Sequence, residues 1–153
     1  MLELAHQQQG ENAHGLNYIR GDAMAPPFPK EYFEAVTVGY GLRNVADLTG
    51  CIQNILSMLK PSGVLVCLDV GKVNIPVIAQ LNRFYFFKIV PLIGKWLMPG
   101  QEMFDYLPHS SINYPDQKKL KKFLLEEGFQ KVDVYDFVFG ASTIHVAQKP
   151  ASS

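Results

Sequence analysis

"YFEAVTVGYGLRNVADLTGCIQNILSMLKPSGVLVCLDV" runs from Tyr32 to Val70, and its reading decides the fold. Ala35 to Tyr40 is a continuous run rich in β-branched residues, which reads as a strand buried on both faces. Asp47 stands where a helix cap belongs. Leu48, Ile52, Ile55, Leu56 and Leu59 then recur at helical spacing. "KPSG", Lys60 to Gly63, stops that helix, and "VLVCLDV", Val64 to Val70, is a second apolar strand. Strand, helix, strand in this order is a βαβ unit, which implies parallel strands and a right-handed crossover.

Upstream, Leu16 to Arg20 reads as a short strand that leaves through Gly21-Asp22. "MAPPFP", Met24 to Pro29, is a loop, because its prolines remove donors and fix the backbone. Met1 to Gln9 has helical character and ends at "GENAHG". Downstream, residues 73–112 are rich in aromatics and prolines without clean periodicity, which reads as broken helices covering something. A helix follows Pro115-Asp116 and runs to Glu127, with Leu120, Phe123 and Leu124 on its dry face and Gly128 as its stop. "KVDVYDFVF" and "ASTIHVAQK" are two strands around Gly140, an antiparallel pair.

The chain has 153 residues, 48% hydrophobic and 18% charged, which favours one globular domain, 1–153. Its formal net charge is zero, so no basic surface marks it as a nucleic-acid binder. The lysines of "KKLKK" read as the wet face of a helix. Cys51 and Cys67 have no metal-ligand spacing and read as buried thiols in a reducing compartment; no metal site is expected. The first residues lack a basic region followed by an apolar core, which reads as cytoplasmic. The most apolar stretch, Phe84 to Met98, is too short to span a bilayer and is interrupted by Lys88, Pro91 and Lys95.

In an open parallel sheet, ligands bind beyond the carboxyl ends of the strands. Three stretches lie at such ends: "GDA" (Gly21 to Ala23), "GYGLRN" (Gly39 to Asn44), and Asp69 with Gly71. Asp22 could accept from an amine, and the Ala23 N–H could donate to a ring nitrogen. Gly39 and Gly41 remove side chains on either side of Tyr40, so a flat ligand or a thioether could lie against the backbone. Taken singly, each stretch reads first as a turn or a strand exit.

Together they carry more. "YIRGDAMAPPFP" followed by "YFEAVTVGYGLRNV" resembles the ubiquinone/menaquinone biosynthesis C-methyltransferase family, a group of class I S-adenosylmethionine-dependent methyltransferases. "GLRNV", Gly41 to Val45, is the most specific element. "YLPHSSINYPDQKKLKKFLLEEGF" and "GASTIHVAQKP" resemble the family's later stretches, so the likeness covers almost the whole chain. It implies an α/β, Rossmann-like fold closed by an antiparallel strand pair. It implies S-adenosylmethionine as methyl donor and a polyprenylated quinol, a demethylmenaquinol or a ubiquinol precursor, as acceptor. Asp22, Ala23, Gly39, Tyr40 and Gly41 would face the donor.

One departure stands out. The family's glycine-rich loop follows its first strand, and no Gly-x-Gly occurs before "YIRGDA". The resemblance therefore implies a partial fold that lacks a first βαβ unit of roughly 30 residues or more. A mis-called start, a fragment or a split gene would each produce it. The isolated polypeptide is then expected to be unstable and inactive, with "AVTVGY" as an exposed apolar edge and "LNYIR" without a sheet neighbour.

The implied reaction needs a ring hydroxyl to lose its proton, so that the ortho carbon can attack the methyl group in line. Arg43 would stabilise the developing phenolate and Asn44 would orient the hydroxyl. A plainer role for Arg43 is an ion pair with Asp47. His109, in a loop, is a more credible base than His145, whose mid-strand position favours packing. Asp69 reads as a pairing or capping residue rather than a base. Residues 73–112 would be a lid that touches a bilayer surface, or one packed on the sheet. A homo-oligomer is compatible with all of this. The alternatives are a small-molecule or sterol methyltransferase, a non-catalytic remnant, and a fragment that completes a partner's sheet.

Overall fold

The computed structural model describes residues 17–73, 75–85, 89 and 114–151. Strand β1 (Phe33–Gly39) leads through a short 3-10 turn (Leu42–Asn44) into helix α1 (Leu48–Met58). Strand β2 (Leu59–Val70) and helix α2 (Pro76–Phe84) follow. Helix α3 (Gln117–Glu126), strand β3 (Lys131–Phe137) and strand β4 (Ser142–Gln148) complete the described part.

The strands form one sheet in the order β1-β2-β4-β3. β1 runs parallel to β2, which makes α1 the expected crossover, while β4 is antiparallel to both β2 and β3. Leu65, Cys67 and Asp69 alternate as the buried positions of β2. On that face, Cys51, Ile52 and Ile55 of α1 meet Leu120 and Leu124 of α3 in a single core with Leu65 and Cys67. Both cysteines are buried free thiols, and burial pushes Cys67 up to about 12.

α3 starts as the sequence implies. The Asp116 carboxylate accepts from the Lys119 N–H at 2.9 Å, which satisfies one of the four orphan donors of the first turn. It ends at Gly128, whose φ of +112° is open to glycine at little cost. The β3–β4 hairpin likewise matches its expectation.

Four expectations change. Residues 17–20 form no strand and lie exposed, since an isolated strand has no neighbour for its backbone groups and leaves them to water. β1 is not buried on both faces: it pairs with β2 alone among the described residues, and Glu34, Ala35, Thr37 and Gly39 are exposed. "KPSG" does not separate helix from strand. Leu59 already pairs with Phe33, and the register jumps to Ala35 opposite Val64, so the Lys60–Gly63 stretch is a bulge within β2. Asp47 occupies the cap position of α1 without a side-chain cap hydrogen bond. The expectations for residues 1–9, for His109 and for most of 73–112 fall outside the described residues.

Candidate active site

The parallel strands β1 and β2 end side by side, with Gly39 opposite Leu68. That register puts the residue after β1, Tyr40, next to Asp69. The Tyr40 N–H donates to the Leu68 carbonyl at 2.8 Å and extends the ladder by one bond. Tyr40 then turns at φ +55°, a left-handed conformation that an aromatic residue adopts only under constraint. The two flanking glycines do not make this turn themselves, since neither has a positive φ in the left-handed region. Gly39 instead leaves space: a Cβ there would meet nothing within 4 Å. Gly41 packs closely, 3.1 Å from a Val38 methyl by the same measure.

Leu42 is 2% exposed and pins the turn to the core. Its neighbour Arg43 is thereby directed at Asp69. Arg43 Nη1 lies 3.5 Å from Asp69 Oδ1, and the two side chains are only 8% and 4% exposed. The plainer alternative for Arg43, an ion pair with Asp47, gives way to this pair, because strand register brings Asp69 to the turn. Asp69 Oδ1 also accepts from the Val70 N–H at 2.8 Å. Burial raises the Asp69 carboxyl above the ordinary range, against the opposing pull of the Val70 N–H and of Arg43. The guanidinium also lies 5.5 Å from the centre of the Tyr40 ring, within reach of a cation–π contact. Asn44 Nδ2 donates to the Tyr40 carbonyl at 3.3 Å, which braces the same turn. Among the described residues, Arg43 Nε, Arg43 Nη1 and Asp69 Oδ2 are buried without a hydrogen-bond partner.

Tyr40, Arg43, Asn44 and Asp69 thus form one cluster. Asp22 turns back on its own loop, where Oδ1 accepts from the Met24 N–H at 2.9 Å. Ala23 beside it is exposed, and Asn54 of α1 holds the loop through the Met24 carbonyl at 2.8 Å. His145 is packed, as its mid-strand position implies. It is 3% exposed, its Nε2 sits 3.1 Å from the Gln117 carbonyl, and burial lowers its pKa.

Two residues not anticipated for the site support it. Gln117 binds both the N–H and the carbonyl of Lys72 and the carbonyl of Gly140, at 3.1, 2.9 and 3.1 Å. It ties the chain leaving β2 to the hairpin turn. Tyr114 packs its hydroxyl 4.0 Å from Cys67 Sγ. Together with Asp69, Thr143 and His145 these two line a void of about 10 Å³. A larger groove of about 670 Å³ runs along α3 and β3, between Lys121, Lys118, Asp133 and Asp136. Its charged rim is ordinary solvated surface. Desolvated groups converge instead at the strand ends.

A model of the ubiE/COQ5 methyltransferase family matches residues 1–149. A demethylmenaquinone methyltransferase of Leptospira interrogans is 46% identical over 155 residues, covering 99% of this chain and 62% of the relative. A demethylmenaquinone methyltransferase of Staphylococcus saprophyticus is 34% identical over 149 residues, covering 97% of this chain and 64% of the relative. The chain thus spans somewhat under two thirds of the length of these curated relatives. Among solved structures, an S-adenosylmethionine-dependent methyltransferase of Thermotoga maritima superposes with a TM-score of 0.68 at 14% identity, covering 97% of this chain and 69% of that one. The fold is that of class I methyltransferases.

Proposed function

This chain belongs to the ubiE/COQ5 methyltransferase family, and from that premise we propose that it serves S-adenosylmethionine-dependent C-methylation of a polyprenylated quinol ring in quinone biosynthesis. The names of its relatives favour a demethylmenaquinol over a ubiquinol precursor as the acceptor. The observation that carries the reading is the desolvated Arg43–Asp69 pair beside the strained Tyr40, at the carboxyl ends of the parallel strands.

The residues present fit the donor on one side. The open space at Gly39 leaves room for the methionine end against the backbone of Gly39, Tyr40 and Gly41. Asp22 and the N–H of the exposed residue Ala23 would take the adenine end. The donor supplies an electrophilic methyl group. Everything else falls to the chain. Arg43 stabilises negative charge on the ring oxygen as its proton leaves, and a buried guanidinium does this better than a hydrated one. Asn44, braced on Tyr40, orients the hydroxyl. His109 is proposed as the proton acceptor.

The ring's tail is membrane-borne, so the enzyme would work from the cytoplasm against the membrane surface. Val77, Leu81, Phe84 and Tyr85 of the α2 region support this, being 76%, 72%, 60% and 48% exposed. No helix among the described residues is long and apolar enough to cross a membrane. Flotation with anionic vesicles tests this part, and absence of co-flotation sinks it.

The reaction is tested by supplying labelled donor and a short-tail demethylmenaquinol. A new ring C-methyl, located by mass spectrometry, is the expected product. A methylated sterol with the quinol untouched would instead favour the small-molecule reading. The same assay, run on the isolated 153 residues, tests the expectation that they turn over at background.

A further inference from the structure

Buried polar atoms without partners are rare in folded proteins, because each costs about 1–3 kcal/mol. Three occur together here: the donors Arg43 Nε and Nη1 and the acceptor Asp69 Oδ2. The two side chains are more than nine-tenths buried, so bulk solvent does not reach them. Their ion pair is long, 3.5 Å, and Asp69 Oδ1 is already committed to the Val70 N–H. The pair is therefore under-satisfied on both sides, donor and acceptor. A group that completes it must accept from Arg43 and donate to Asp69 at one point. A ring hydroxyl does both, whereas a ring carbonyl or an ether oxygen only accepts.

We propose that Asp69 and Arg43 together read a ring hydroxyl, so that Asp69 selects the reduced, hydroxyl-bearing ring over its oxidised or alkylated forms. This rests on the quinol-methylating reading above and adds a specificity residue to it. Asp69 Oδ2 accepts the hydroxyl hydrogen, and Arg43 donates to the same oxygen. An oxidised ring brings a carbonyl lone pair against the carboxylate. It leaves Oδ2 unpaired and is rejected for that reason.

The test needs binding only. 1-Naphthol and 1-methoxynaphthalene present the same ring with and without the donor, and their dissociation constants are measured by fluorescence on the wild type, Asp69→Asn and Asp69→Glu. The wild type is expected to prefer naphthol by on the order of tenfold, the worth of a hydrogen bond to a charged group. Asp69→Asn, whose amide can turn donors to the ligand, should bring the ratio near one, and Asp69→Glu should keep it. A residue with only a structural role would weaken both ligands equally and leave the ratio unchanged, which overturns the proposal. If both probes bind the wild type alike, only this inference fails. If neither binds, the ring site itself is wrong and the reading beneath falls with it. Should Asp69→Asn not fold, the wild-type complex still decides. A strongly downfield hydroxyl proton of bound naphthol is expected, and its absence in a saturated complex contradicts the proposal.

Discussion

At Arg43 a guanidinium that is 8% exposed meets one carboxylate at ion-pair distance and leaves two nitrogens without a hydrogen bond among the described residues. A pair built for stability would be better satisfied, because desolvation of two charges consumes most of their attraction. Arg43→Met should therefore cost about 3 kcal/mol by stranding Asp69, while Arg43→Met with Asp69→Leu should recover most of that loss. Urea unfolding of the two variants reads this, and a double variant no more stable than the single one would contradict it. His145 makes a separate prediction. Its folded pKa lies below the ordinary 6.5, so the unfolded chain binds more protons in the window just under that value. Stability then rises with pH through the window and is lost on acidification. His145→Gln should flatten this slope relative to the wild type in melts at stepped pH; an unchanged slope would show that other groups carry it. The Arg43–Asp69 pair was within reach of the sequence. Arg43 follows the end of β1 and Asp69 stands one residue before the end of β2, and a parallel register aligning Gly39 with Leu68 brings them together. An ion pair with Asp47, nearer along the chain, needs no register and is the weaker expectation for that reason.

Among elements, those with internal periodicity were legible and those set by a partner were not. α1, α3 and the hairpin carry their own spacing, caps and turn glycines, so residues alone locate them. The Lys60–Gly63 bulge is different. It exists because β1 and β2 fall out of step between Phe33 and Ala35, a fact about two strands rather than one. The junction after β2 shows the same dependence. Gly71 packs where an added Cβ would collide with the Gly140 carbonyl, Thr143 Oγ1 and Gln117 Nε2. Two of these contacts are to groups that cannot swing aside easily: a backbone carbonyl and a buried, hydrogen-bonded Thr143. Gly71→Ala should cost about 1–3 kcal/mol through overpacking. A chemical-denaturation midpoint unchanged by the substitution would mean that the junction relaxes freely.

For the whole molecule, the family resemblance foresaw the exposed edge that composition alone misread. Apolar β1 looks buried on both faces, yet among the described strands it sits at the end of the order β1-β2-β4-β3. Exposed edges of this kind invite pairing between copies. Thr37 is exposed on that strand, so Thr37→Lys should reduce concentration-dependent association in sedimentation without lowering the melting temperature; association that persists undiminished would place the contact elsewhere. Asp22 and Ala23 are legible as a turn, held by the Met24 N–H on Asp22 Oδ1, and only the resemblance assigns them to the donor. The central claim, that the ring binds at the carboxyl ends of β1 and β2, is open to one direct measurement. Amide spectra of the ¹⁵N-labelled chain, titrated with a short-tail demethylmenaquinol under reducing conditions, should shift most at Tyr40 to Asn44 and at Val70. Largest shifts along the α3–β3 groove, from Lys118 to Asp136, would contradict the account.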